Sequence, residues 1–139
     1  AVGVGALKAI AEPIAMGIKL RMEKNIQRHL NIIVCENMIG ADSFLSSAIR
    51  DLLEGEEKAY FDRYVATVEP SIGRMVPKTP AHISEKEPLA ICVEPYCELP
   101  VDRDGFKGEI PEIVNMVPFS PFDFHIRRKL FMHNMSHAL

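Results

Sequence analysis

Leu30-Asn31-Ile32-Ile33-Val34-Cys35 is a short apolar run, rich in β-branched residues, that stops abruptly at polar Glu36 and Asn37. β-Branched side chains favour the pleated strand, and a nearly unbroken apolar run must be covered on both faces. Such a strand belongs inside a sheet clothed by helices. The preceding residues supply one: Leu7, Ile10, Ala11, Ile14, Ile18 and Met22 recur at the helical period, with Pro13 as a potential kink. Helix followed by buried strand predicts an α/β unit.

Beyond the strand, Phe44, Leu45, Ala48, Ile49, Leu52 and Leu53 predict a helix over 41–53 capped by Asp42, and 56–63 adds a short helical piece. Residues 64–68, 89–93 and 99–101 are strand-like, with a surface loop over 77–88. The stretch 102–122 holds Gly105, Gly108, Pro111, Pro118 and Pro121, which predicts an irregular connection and a domain boundary before a last helix. The chain opens with no Met and closes on a helical stretch with no Gly or Pro to finish it, so further segments are expected on both sides.

A length of 139 residues suits one ordinary domain. The formal net charge of −3 gives no general attraction to nucleic acid or anionic lipid, both of which need clustered Lys and Arg. No apolar run approaches the roughly 18 residues of a membrane span. Cys35, Cys92 and Cys97 form an odd count without zinc-ribbon spacing, which predicts reduced thiols and a cytoplasmic setting, although a disulfide between Cys92 and Cys97 is conceivable.

Three features carry candidate chemistry. Gly3 and Gly5 precede a helix, but a dinucleotide fingerprint needs a third Gly, a strand before it and an acidic residue later, so the pair also suits a plain tight turn. Asn37 follows the apolar strand, where an open α/β sheet binds ligands, and its amide can donate to an oxyanion; equally it suits a turn beside Gly40. The last stretch, FHIRRKLFMHNMSHAL, sets Lys129, His133, Asn134 and His137 on one sector. At about 100° per residue His137 lies about 80° and Asn134 about 140° around from Lys129. Here a solvated face competes with a site in which a half-buried Lys takes an alcohol proton. The neighbouring His125, Arg127, Arg128 and Lys129 suit a solvated face or a small-anion site. Metal binding by His133 and His137 lacks the glutamate of HExxH, and no metal is expected.

Four blocks in order, AVGVGALKAIAEPIAMGI, NIIVCENMIGADSFL, VEPSIGRMVP with VEPYCELPVDRDGFKG, and RRKLFMHNMSHAL, resemble the mannitol dehydrogenase family of long-chain polyol dehydrogenases. The family's Lys, Asn and His, spaced by five and three, match Lys129, Asn134 and His137. The resemblance implies the later part of a Rossmann-like NAD-binding domain over 1–118, followed over 119–139 by the first helix of an α-helical substrate domain. It implies hydride transfer between NAD(H) and a sugar alcohol or its phosphate, in carbohydrate metabolism. Lys129 would be the general base, Asn134 and Asn37 the oxyanion donors and His137 a substrate-positioning partner. Ala1, Val2 and Gly3 would lie near the cofactor. Arg127 and Arg128, from charge, and Arg74 are candidates for substrate binding.

One departure is Ile72-Gly73-Arg74, where family members often show Val-Asp-Arg. Gly73 cannot replace a carboxylate. Without the Gly-rich phosphate loop and the rest of the helical domain, these residues alone are expected neither to bind NAD tightly nor to turn over. Alternatives are a relative acting on altronate, mannonate or unphosphorylated mannitol, or a non-catalytic family member.

Overall fold

The computed structural model describes residues 2–74 and 76–129. A 3-10 turn, Val4–Ala6, leads into helix α1, Leu7–Glu23. Its buried stripe, Leu7, Ala11, Ala15 and Ile18, repeats every three to four residues, and the two alanines let a neighbouring helix approach closely. The helix runs unbroken through Pro13. Pro13 and Ala9, whose carbonyl loses its partner, both lie on the exposed face, where water satisfies the group.

Strand β1, Leu30–Ile33, pairs in parallel with β2, Val65–Val68, in the register Leu30 to Val65 through Ile33 to Val68. The crossover between them holds helices α2, Ala41–Asp51, and α3, Gly55–Tyr64, both packed with β2 against the α1 side. One hydrophobic core results, with Leu7, Ile18, Leu45, Ile49, Leu53 and Val65 each no more than 1% exposed. Burying side chains of this size contributes about 1.5–3 kcal/mol each. Asp42 does not cap α2 as predicted: the helix starts from Gly40 at φ 66°, so Asp42 already lies inside the first turn. Its carboxylate still sits at the positive end of the helix dipole. At α3, Glu54 and Glu57 form a reciprocal capping box, and Glu57 also reaches Lys19 of α1 at 3.0 Å.

The predicted strand at 89–93 is not formed. Leu89 and Ile91 are 94% and 72% exposed, and the local backbone bonds instead to the Thr79 hydroxyl, which donates to Ala90 O and accepts from Cys92 N. A four-residue helix, α4 at Ala81–Ser84, precedes it. All three cysteines are free, and Cys97 is exposed. Strand β3, Leu99–Asp102, forms as expected and pairs in parallel with an unexpected β4, Met116–Phe119. Pro118 hid β4 in the sequence. It is tolerated because, among the described residues, β4 bonds only to β3, leaving an edge that needs no donor there. The chain leaving β2 runs beside β3, with Ser71 N donating to Pro100 O and Asp102 N to Glu69 O, both at 2.8 Å.

The connection from β3 is pinned to the first sheet. Asn31 of β1 exchanges two hydrogen bonds with the Lys107 backbone, and Lys107 Nζ donates to the carbonyls of Phe61, Asp62 and Val65 at the end of α3. These carbonyls cluster at the helix C-terminus, where a cation is favoured; that of Phe61 also accepts the Val65 N–H. Gly108 is obligatory: its φ is 70°, and a Cβ there would fall 2.3 Å from the His29 ring. After a cis Ser120–Pro121 bond, helix α5 spans Asp123–Arg128, with Lys129 at its end. Among the described residues no helix is long and apolar enough to cross a membrane.

The core assignment makes a direct prediction. Ile49→Ala removes a fully buried side chain from the α2 face and should cost about 2–5 kcal/mol, whereas Leu52→Ala at a 44% exposed position should cost about 0.5 kcal/mol or less. Urea unfolding of the two variants checks this, and equal losses would contradict the packing.

Candidate functional site

The site lies where β1 and β2 end. Because the two strands are parallel and in register, the polar residues following each emerge on one edge: Glu36 and Asn37 after β1, Glu69 after β2. Glu36 Oε1 accepts from the backbone N–H groups of Val2 and Gly3, the latter at 2.9 Å, and so fastens the start of the chain beside the strand end. Gly3 stands at φ 86°, and a Cβ built on it would meet nothing within 4 Å. Just before Glu36, Cys35 is half-buried, and burial pushes its thiol up, away from the thiolate a nucleophile needs.

Gly40 turns the chain into α2 and donates its N–H to Glu69 Oε1 at 3.2 Å, joining the exits of the two strands. Burial raises the Glu69 pKa above the usual carboxylate value. The Gly40 hydrogen bond opposes that rise, and the carboxylates of Asp42, Asp102 and Asp123 add to it.

Lys129 comes to this edge from 92 residues away in sequence: its Nζ donates to Asn37 Oδ1 at 2.9 Å. An ammonium has only donors, so the amide must present its oxygen to it, which leaves the Nδ2 hydrogens for another acceptor. Lys129 is half-buried, and burial lowers its pKa from the ordinary lysine value. Asn37, Glu69 and Lys129 line one cavity of about 310 Å³, whose remaining wall is Met38, Ile39, Pro70 and Ile126. Three polar groups converging on an apolar hollow are the usual composition of a small-molecule site.

The other predicted residues fall as follows. Arg127 and Arg128 are exposed on α5, and Arg74 is exposed with its Nε donating to Glu94 O at 3.1 Å. His125 does not share a solvated face with them. It is 8% exposed, held among the rings of Phe119, Phe122 and Phe124, and burial lowers its pKa, with Arg128 adding to the effect. The basic run therefore divides into a buried His, two surface Arg and a lysine in the cavity. Val2 is exposed at the Glu36 turn; Ala1, His133, Asn134 and His137 lie outside the described residues. Glu69 was absent from the sequence-predicted site. The signal was present, since Glu69 follows an apolar strand as Asn37 does.

Residues 1–115 match the family described as mannitol dehydrogenase Rossmann domain. Over all 139 residues the chain is 40% identical to mannitol-1-phosphate 5-dehydrogenase of Bacillus licheniformis, and it covers 35% of that protein. The chain thus spans about a third of the length of this curated relative. Its parallel strand pairs, helical crossover and polar strand ends are those of a Rossmann-type α/β fold, and the chain belongs to the mannitol dehydrogenase family.

Proposed function

We propose that the full-length protein carrying this chain is an NAD-dependent dehydrogenase that interconverts a sugar alcohol, mannitol 1-phosphate or a similar polyol, and the corresponding ketose. The observation that carries this reading is the 2.9 Å contact between Lys129 Nζ and Asn37 Oδ1 at the edge of the parallel sheet. It joins a candidate base to a candidate oxyanion donor in a chain 40% identical to a mannitol-1-phosphate 5-dehydrogenase.

Oxidising a secondary alcohol requires a base for the O–H, a donor that holds the oxygen as charge develops on it, and a hydride acceptor. Lys129 in its neutral form takes the hydroxyl proton, and burial favours that form. The Asn37 amide, oriented by accepting from Lys129 when that lysine is charged, offers Nδ2–H to the oxygen. A bound nicotinamide supplies the hydride acceptor. A Cβ on Gly3 would meet nothing within 4 Å, and by the family resemblance Ala1, Val2 and Gly3 would lie beside that cofactor. Asn134 and His137, by the family's spacing, belong to the same site as a second oxyanion donor and a substrate-positioning group. Arg127, Arg128 and Arg74 remain candidates for an anionic substrate group. Residues 1–118 would form the later part of the NAD-binding domain and residues 119–139, which hold α5, the start of the helical substrate domain.

Two outcomes follow for the full-length protein. Lys129→Ala should lower kcat for polyol oxidation about 10²–10⁴-fold, as loss of a general base does, with the Kd for NAD unchanged; an undiminished kcat refutes the assignment. The second concerns pH. Oxidation needs the neutral amine, so kcat/KM should climb with pH and level off through an inflection below the ordinary lysine value of 10.5. Ketose reduction needs the protonated amine and should fall through the same inflection. Persistence of that inflection in Lys129→Ala would assign it to another group.

A further inference from the structure

We infer that Glu69 is a substrate-positioning and specificity-determining residue, whose carboxylate accepts a hydrogen bond from a polyol hydroxyl in the cavity it shares with Asn37 and Lys129. The inference rests on the dehydrogenase reading above.

Asn37 and Lys129 together serve one oxygen, the one that is oxidised. A polyol carries a hydroxyl on every carbon, and a second hydroxyl entering a hollow walled by Met38, Ile39, Pro70 and Ile126 needs a partner of its own. Glu69 is the only carboxylate lining this cavity among the described residues. Its Oε1 takes the Gly40 N–H at 3.2 Å, while Oε2 accepts nothing from the described residues and is left for a ligand. Lys129 does not neutralise it, because no ion pair links the two. An ionised carboxylate only accepts, so it favours a hydroxyl and disfavours a sugar acid whose own carboxylate would lie beside it.

The deciding variant is Glu69→Gln in the full-length protein. Glutamine keeps an oxygen for Gly40 N–H and replaces the acceptor that faces substrate with an NH2 donor. Steady-state oxidation should show KM for the polyol raised about tenfold with kcat within about threefold, and a smaller preference for the polyol over the sugar acid of equal length. One deoxy analogue, lacking the hydroxyl that Glu69 holds, should have a raised KM in the wild type and lose nothing further in the variant. The wild-type deoxy series is read whether or not the variant folds, and a series with no such position overturns the inference. So does a KM that rises equally for every analogue, which would mark Glu69 as a structural clip for Gly40. An active wild type whose Glu69→Gln variant keeps its KM overturns this inference alone. A wild type that turns over no polyol removes the dehydrogenase reading and this inference with it.

Discussion

Everything at this site depends on the parallel register of β1 and β2. Pairing Ile33 with Val68 makes both strands end on the same edge, so residues more than thirty positions apart leave the sheet side by side. A parallel pair needs a long crossover, and α2 and α3 provide it, each packing on β2 and on α1 while β1 stays half-buried. The apolar core is therefore also what aims Asn37 and Glu69. The Gly40 N–H to Glu69 bond then joins the two exits, and Asp102 N to Glu69 O adds the next strand. A shift in pairing would move the polar groups apart and turn core side chains outward.

Lys129 arrives by a different route. The second parallel pair, β3 with β4, ends at Phe119, whose ring packs 3.9 Å from that of His125 between centroids. With Phe122 and Phe124 this makes an aromatic footing for α5, and Lys129 stands one helical turn beyond His125. Burial keeps the imidazole neutral, so it works here as a packing ring. A charged His125 would have to be desolvated among three aromatic side chains, loosening the support that carries the lysine to Asn37.

Local pattern was enough to show β1 and α1, because one is a short β-branched apolar run and the other carries the helical period over about five turns. It failed where the backbone is held by single side chains. Residues 89–93 have strand-like composition, yet Thr79 takes their backbone groups and no neighbouring strand claims them. β4 has a proline that only edge position tolerates, which no local pattern reveals. For the site, the rule that polar residues after a buried strand line an α/β cleft picked out Asn37 and applies equally to Glu69. That Lys129 meets Asn37 across 92 residues was legible only through the family's ordered blocks, since no spacing argument spans such a distance. The burial of His125 was hidden because Phe122, Phe124 and Ile126 stand beside it in sequence together with Asp123, Arg127 and Arg128, and local pattern alone does not say which set it joins; Phe119 reaches it from β4.

The choice of partner for Lys129 bears on its chemistry. A carboxylate in contact with the ammonium would stabilise the charged form and raise the pKa, the reverse of what a base near neutrality needs. Asn37 orients the amine with a neutral dipole, which costs less of the downward shift that burial provides. Glu69 occupies the same cavity but forms no ion pair with it, and burial moves the two groups in opposite directions, each towards its neutral form. With no carboxylate among the described residues paired to it, Lys129 keeps the downward shift that burial gives.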